Sequence, residues 1–241
     1  TMAGRRDEIV LATKAGHVST GSAGEKWTAA TVGEGIDHSL RKLRTDHVDL
    51  VQLHAYDIQA PLPEDVVQAV LDARDAGKTR FVGYSGENED AEWAIESGLF
   101  DTLQISFNLV DQGPRYSIFE EAAAAGVGII AKRPIANAAW GKATLDGDAG
   151  LKGTTLERLD RARKMLASGP IADAPKDLIS LALGFALGHP EVHTAILGTR
   201  NPDHMLANVK AASADLPLAE ATMADLHRRY DAVGREWRGI D

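Results

Sequence analysis

The chain has 241 residues, 44% hydrophobic and 25% charged, proportions that suit one large globular domain or two small ones. An excess of 35 acidic over 26 basic residues, net charge −9, argues against nucleic acid as a partner, and the lack of cysteine excludes disulfides, thiolate nucleophiles and Cys-ligated metals. Apolar runs fall short of the roughly 20 residues a membrane span needs, and Thr1–Arg6 leads into no apolar signal core, so a cytoplasmic protein is expected. In chain order, a buried strand is predicted over Ile9–Thr13, then a helix over Thr31–Leu43 with Val32, Ile36, Leu40 and Leu43 on one face. A strand over Val48–Leu53 precedes a helix over Pro63–Ala76, whose Glu64 and Asp65 suit a helix N-terminus. Strands over Arg80–Tyr84, Leu103–Phe107 and Val127–Ala131 alternate with helices over Asp90–Glu96 and Ser117–Ala125. Residues 134–170 are more irregular and read as an extended loop entering a helix over Thr155–Leu166, in which Arg158, Asp160, Arg161 and Arg163 look like a solvated face. A helix over Lys176–Leu187, a strand over Thr194–Leu197 and a helix over Pro202–Ala212 complete the pattern.

This repeated β-α order predicts an α/β fold, a parallel sheet with helices outside, in a single domain spanning 1–241. Six strands would suit an open doubly wound sheet, but the first runs into Lys14-Ala15-Gly16-His17 and no GxGxxG turn occurs, which disfavours a dinucleotide-binding sheet. A closed eight-stranded barrel takes about 250 residues and keeps its active site at the C-terminal ends of its strands. Those ends here carry Lys14, His54, Ser85, Gln104 and Asn108, Lys132 and Arg133, and Gly198-Thr199-Arg200. Each has an ordinary explanation alone: a solvated lysine, a histidine satisfied by packing, an asparagine capping the next turn. Six successive strands ending in hydrogen-bonding side chains predict a polar basin at one rim.

The segments Ile9–Lys14 and Val48–His54 resemble the third and fourth strands of the aldo-keto reductase family. Thr79–Ser85 resembles its fifth strand and Gln104–Asn108 its sixth, while Ile196–Pro202 with Leu206–Val209 resembles its C-terminal NADPH-binding segment, at about 194–209. The resemblance runs from about Arg5 to about Val209. It implies a (β/α)8 TIM barrel that reduces small aldehydes or ketones by hydride transfer from NADPH. In that family a Tyr donates the proton, a Lys lowers its pKa, an Asp pairs with the Lys, and a His orients the carbonyl. A phenol near pKa 10 becomes a useful acid only with such a neighbour. Lys14 matches the Lys and His54 the His. Ser85, Gln104 and Asn108 fall where the family binds the nicotinamide carboxamide and ribose. Gly198, Thr199, Arg200, His204 and Asn208 fall where it holds the 2′-phosphate and adenine, and the preference for NADP rests mainly on Arg200.

The departures matter too. Thirteen residues precede Lys14, and they hold Asp7 but no Tyr. Two βα units of about 30 residues each are therefore expected to be absent, with the acid either upstream in a longer protein or lost. Gly86 stands where many members have Asn, and Lys132 where many stack a Tyr on the nicotinamide, so that Lys132 or Arg133 would meet a cofactor phosphate. Tyr56 either reaches the basin from its loop or covers the pocket as a loop aromatic. Trp140 either binds substrate or packs its loop, and Trp27 has the same two readings. His17 and His54 invite a metal, but the rim supplies Lys, Ser, Gln and Asn, so no metal is expected. The reading is an NADPH-dependent carbonyl reductase; the alternative is a non-catalytic NADPH-binding sensor or regulatory subunit without the proton donor. No membrane partner is expected, and substrate identity and oligomeric state are not legible.

Overall fold

A computed structural model describes residues 4–18, 24–55, 62–143, 147–148, 150–214 and 218–240. Its strands are β1 (Ala12–Ala15), β2 (Val48–His54), β3 (Thr79–Ser85), β4 (Thr102–Ser106), β5 (Gly128–Lys132) and β6 (Val192–Ile196). They are hydrogen-bonded neighbours in chain order, and β1–β2, β2–β3, β3–β4 and β5–β6 are parallel pairs. The helices are α1 (Ala29–Leu43), α2 (Glu64–Asp75), α3 (Asn88–Glu96), α4 (Ile118–Ala125), α5 (Thr154–Leu166), α6 (Leu178–Leu187), α7 (Pro202–Ala214) and α8 (Glu220–Val233). Among the described residues, no helix is long and apolar enough to cross a membrane. The chain divides into two compact units, residues 1–104 with 125–127, and 105–124 with 128–241.

In the first unit, α1 starts where the Thr28 side chain accepts a hydrogen bond from the Thr31 N–H (3.1 Å), and stops at Arg44 in the left-handed conformation. Its buried stripe is Val32, Ile36 and Leu40. Thr13 Oγ1 meets Ser39 Oγ of α1 at 3.0 Å, and Tyr84 of β3 packs on Trp93 of α3 and on Phe100 at 5.5 and 5.4 Å. Thr13 and Tyr84 therefore mark the helix-covered face of the sheet. The first strand begins three residues later than its apolar run. Leu11 N–H donates to the Asp49 carboxylate at 2.8 Å, a group also ion-paired to Arg6 and Arg80, and Val10 is 84% exposed. Ladder pairing with β2 starts only at Ala12.

The second unit has a core of Phe107, Phe119 and Phe185 with His189, ring centroids 4.7–5.4 Å apart along Phe107. The stretch after β5 is less loose than its sequence suggests: it holds two 3₁₀ turns, Ala136–Ala138 and Trp140–Lys142, before α5. Arg133, Ala136, Asn137 and Ala138 all have left-handed backbone, which is strained for residues with a Cβ. The expected solvated face of α5 holds at the exposed Asp160 and is corrected at Arg158 and Arg161. Arg158 is 0% exposed and Arg161 is buried, because Asp111, 47 and 50 residues earlier in the chain, pairs with both. Helix α8, not foreseen in the sequence, buries Leu226, Tyr230 and Arg229, whose guanidinium donates to the carbonyls of Met165, Gly169 and Pro170.

Candidate active site

Strand alternation and parallel register place Lys14, Gln52, His54, Gly83, Ser85, Thr102 and Gln104 on the sheet face opposite Thr13 and Tyr84. Lys14 lies in register with Gln52; one inward row further along, His54, Ser85 and Gln104 are in register with one another. Lys14 Nζ donates to Ser85 Oγ at 3.3 Å, and Gln104 Nε2 donates to the same oxygen at 3.2 Å. Ser85 is fully buried and Gln104 nearly so, and both lone pairs of the Ser85 hydroxyl are thus directed at donors. His54, half-buried at the end of β2, has its carbonyl oxygen 2.9 Å from His17 Nε2. The His17 ring stands edge-on to those of His54 and Trp27, at 5.3 and 5.5 Å. The Trp27 backbone is tied in turn by its main-chain N–H, which donates to Gly16 O at 2.8 Å. This arrangement can fix a positive charge and an imidazole beside a bound polar group. Asp7 lies exposed in a 3₁₀ turn, Arg6–Glu8, ahead of β1, and Tyr56 lies outside the described residues.

The other expected site residues belong to the second unit. Asn108 is 0% exposed; its Oδ1 accepts from the N–H groups of Val110 and Asp111 at 3.0 and 3.1 Å, and its Nδ2 donates to Asp111 Oδ2 at 3.1 Å. Lys132, the last residue of β5, is buried, and Arg133 Nη1 donates to Ile240 O at 2.8 Å and to Ser106 Oγ at 3.3 Å. Trp140 is 4% exposed, in the 3₁₀ turn that packs against α5. Gly198, Thr199, Arg200 and His204 are exposed between β6 and the first turn of α7, and Asn208 is buried within α7. The Thr199 hydroxyl caps this entry by accepting from Asn201 N–H at 3.1 Å, and Asn201 Oδ1 accepts from Asp203 N–H at 2.9 Å.

Two polar residues on the Lys14 face escaped the sequence reading. Gln52 Nε2 and Thr102 Oγ1 are both buried without a hydrogen-bond partner among the described residues. They flank Gly83, where a Cβ would collide with Thr102 Oγ1. Period-two counting back from His54 and Gln104 was the available signal. Among the described residues, no three His, Asp or Glu side chains gather as metal ligands.

A model of the aldo/keto reductase family matches residues 2–229. The chain is 29% identical over 224 residues to the uncharacterized oxidoreductase YqkF of Bacillus subtilis, covering 87% of this chain and 70% of that one. It is 25% identical over 248 residues to a probable voltage-gated potassium channel subunit beta of Arabidopsis thaliana, with 92% and 73% covered. Among solved structures, aldo-keto reductase AKR11C1 of Bacillus halodurans superposes with a TM-score of 0.76 in its apo form, at 26% identity, over 95% of this chain and 74% of that one. Its holo form gives 0.73. The parallel βα repeat, the strand-end residues and a family match over nearly the whole length agree: the chain belongs to the aldo/keto reductase family.

Proposed function

We propose that this protein is an NADP(H)-dependent oxidoreductase that reduces small aldehydes or ketones to alcohols. The observation that carries the reading is the joint anchoring of Lys14 and Gln104 on Ser85 Oγ, with His54 in register beside them at the strand ends. Lys14, restrained by that bond, is placed to favour the ionised form of an acid beside it and so ease proton donation to the substrate oxygen. His54 would hydrogen-bond the carbonyl oxygen and steady it while negative charge builds there. Tyr84 faces α3 and is excluded as the proton donor.

The residues present suit the cofactor. Thr199, Arg200 and His204 put a hydroxyl, a guanidinium and an imidazole in the open at the start of a helix, a donor set for a phosphate within an acidic chain. Ser85 and Gln104 would hold the carboxamide. Bound NADPH would supply the hydride. Replacing Lys14 by Met is expected to abolish carbonyl reduction while sparing most NADPH affinity, and an unchanged turnover number would sink the assignment. Arg200→Ala is expected to weaken NADPH far more than NADH; equal losses would remove the 2′-phosphate argument.

A second reading, an NADPH-binding regulatory subunit without turnover, is favoured by the relative named as a channel beta subunit. It predicts NADPH binding with no reduction of any carbonyl offered.

A further inference from the structure

His17 lies outside the roles assigned so far. Its ring is exposed on one side, yet its Nε2 has a defined partner, the backbone carbonyl of His54 at 2.9 Å. A carbonyl oxygen only accepts, so this contact fixes Nε2 as the protonated nitrogen of His17.

The backbone of His54 explains why such a partner is needed. Ala55, the next residue, has φ 53°, left-handed backbone that a residue with a Cβ adopts at a cost. The His54–Ala55 peptide is thus the last one in ladder orientation, and the chain leaves the sheet at Ala55. Its N–H is taken by Ser85 O at 2.7 Å and its C=O by His17, so the peptide is pinned at both ends. Pinning that plane fixes the exit of the chain from the Cα of His54, and hence the direction its imidazole takes. The edge-on contact of the two rings at 5.3 Å restrains the imidazole itself. Behind His17, Trp27 rests on Gly16 so closely that a Cβ there would lie 2.5 Å from the indole.

We infer that His17 is a positioning residue that aims the His54 imidazole, with Trp27 as its support. The inference rests on the reading of His54 as the residue that orients the substrate carbonyl. The test compares His17→Phe, which keeps a ring but loses the donor, with His17→Gln, which keeps a donor. Because His17 is partly exposed, neither leaves a core cavity. His17→Phe is expected to lower kcat for carbonyl reduction by roughly ten- to a hundredfold, the cost of a small misplacement, with NADPH Kd within about twofold of wild type. His17→Gln should recover most of kcat. In ¹⁵N NMR the His54 imidazole signals should shift in the Phe variant and return toward wild type in the Gln variant. Unchanged kcat in His17→Phe, or a Gln variant no better than Phe, would overturn the inference. Should the wild-type protein reduce no carbonyl, the functional reading fails separately, and the NMR decides: unshifted His54 signals in His17→Phe overturn the positioning role, and shifted signals restored by Gln support it.

Discussion

Replacing Asp111 by Ala tests whether the second unit is held together by buried charge. The carboxylate is 1% exposed and accepts from Arg161 Nη1 at 2.7 Å, Arg158 Nε at 3.3 Å and Asn108 Nδ2 at 3.1 Å. Burial pushes its carboxyl up, and the two guanidinia oppose that shift. Truncation removes an anion from between two cations that stay out of water. Arg161 keeps Glu157 and the Arg238 carbonyl, and Arg158 keeps Ile240 O, so hydrogen bonds remain but the central counter-charge does not. Removing one partner of a buried pair costs about 3–5 kcal/mol, against a total stability of roughly 5–15 kcal/mol for a typical fold. Asp111→Asn keeps the shape and one acceptor but turns an amide N–H₂ toward a donor, for an expected loss of about 1.5–3 kcal/mol. Glu157→Gln removes an exposed partner of Arg161 and should cost no more than about 1 kcal/mol. Urea unfolding followed by far-ultraviolet circular dichroism ranks the three. A midpoint for Asp111→Ala equal to that of Glu157→Gln would refute the reasoning.

The pair His189–His227 predicts acid sensitivity. His189 Nδ1 donates to Phe185 O at 2.8 Å, so its Nε2 accepts from His227 Nε2 at 3.0 Å, a geometry that requires the His189 ring to be neutral. Burial lowers both, His227 from 6.5 to about 4, so the pair's contribution is intact above pH 6.5 and is lost as pH falls toward 4. Because His227 is half exposed, about 1–2 kcal/mol is expected, well below the full linkage value. His227→Gln keeps a donor without the titration and should flatten this part of a stability–pH curve; an identical curve would contradict the pair's role. Thr102→Val exchanges a buried hydroxyl without a partner among the described residues for a methyl of the same shape, and should raise stability by about 1–3 kcal/mol. A lower melting temperature would mean that the hydroxyl is satisfied. Gly16→Ala places a Cβ at φ 111° against the Trp27 indole, and should cost about 1–3 kcal/mol and alter tryptophan fluorescence. No change in either would show that the loop relaxes freely.

The β-α rhythm was legible because period and punctuation are local: β2 and β3 fall within a residue of their apolar runs, and Gly77, Gly98 and Gly126 adopt the left-handed backbone expected after helices. Where the sequence reading missed, the deciding partner was distant. Ile9 and Val10 look like strand, but Asp49, some forty residues on, captures the Leu11 N–H and delays pairing. Helix α8 was hidden by its composition. Thr222, Leu226 and Tyr230 recur every four residues, yet the intervening charges look solvated, and buried Arg229 is satisfied by carbonyls of the 165–170 segment. Arg158 and Arg161 were misread for the same reason.

The candidate site divides along the same line. That Lys14, His54, Ser85 and Gln104 lie in the C-terminal part or the middle of consecutive strands is a local property, and register then brings them to one face whatever surrounds them. What each group does with its hydrogen bonds is not local. Ser85 spends both lone pairs on Lys14 and Gln104, so as a partner for bound ligand it has its hydroxyl proton to give. Asn108 spends its amide on the turn to Asp111, and one guanidinium nitrogen of Arg133 is directed at Ile240 O, while the exposed Arg200 stands at the mouth of a helix. A substitution series across Ser85, Asn108, Arg133 and Arg200 should therefore split by role. Arg200 variants should lose NADPH affinity at near-normal stability, Ser85→Ala should lose both affinity and stability because it takes away the acceptor of Lys14 and Gln104, and Asn108→Ala and Arg133→Ala should lower the melting temperature first. Uniform loss of cofactor affinity with no change in stability would mean that the resemblance, and not the observed hydrogen bonding, is the better guide to these residues.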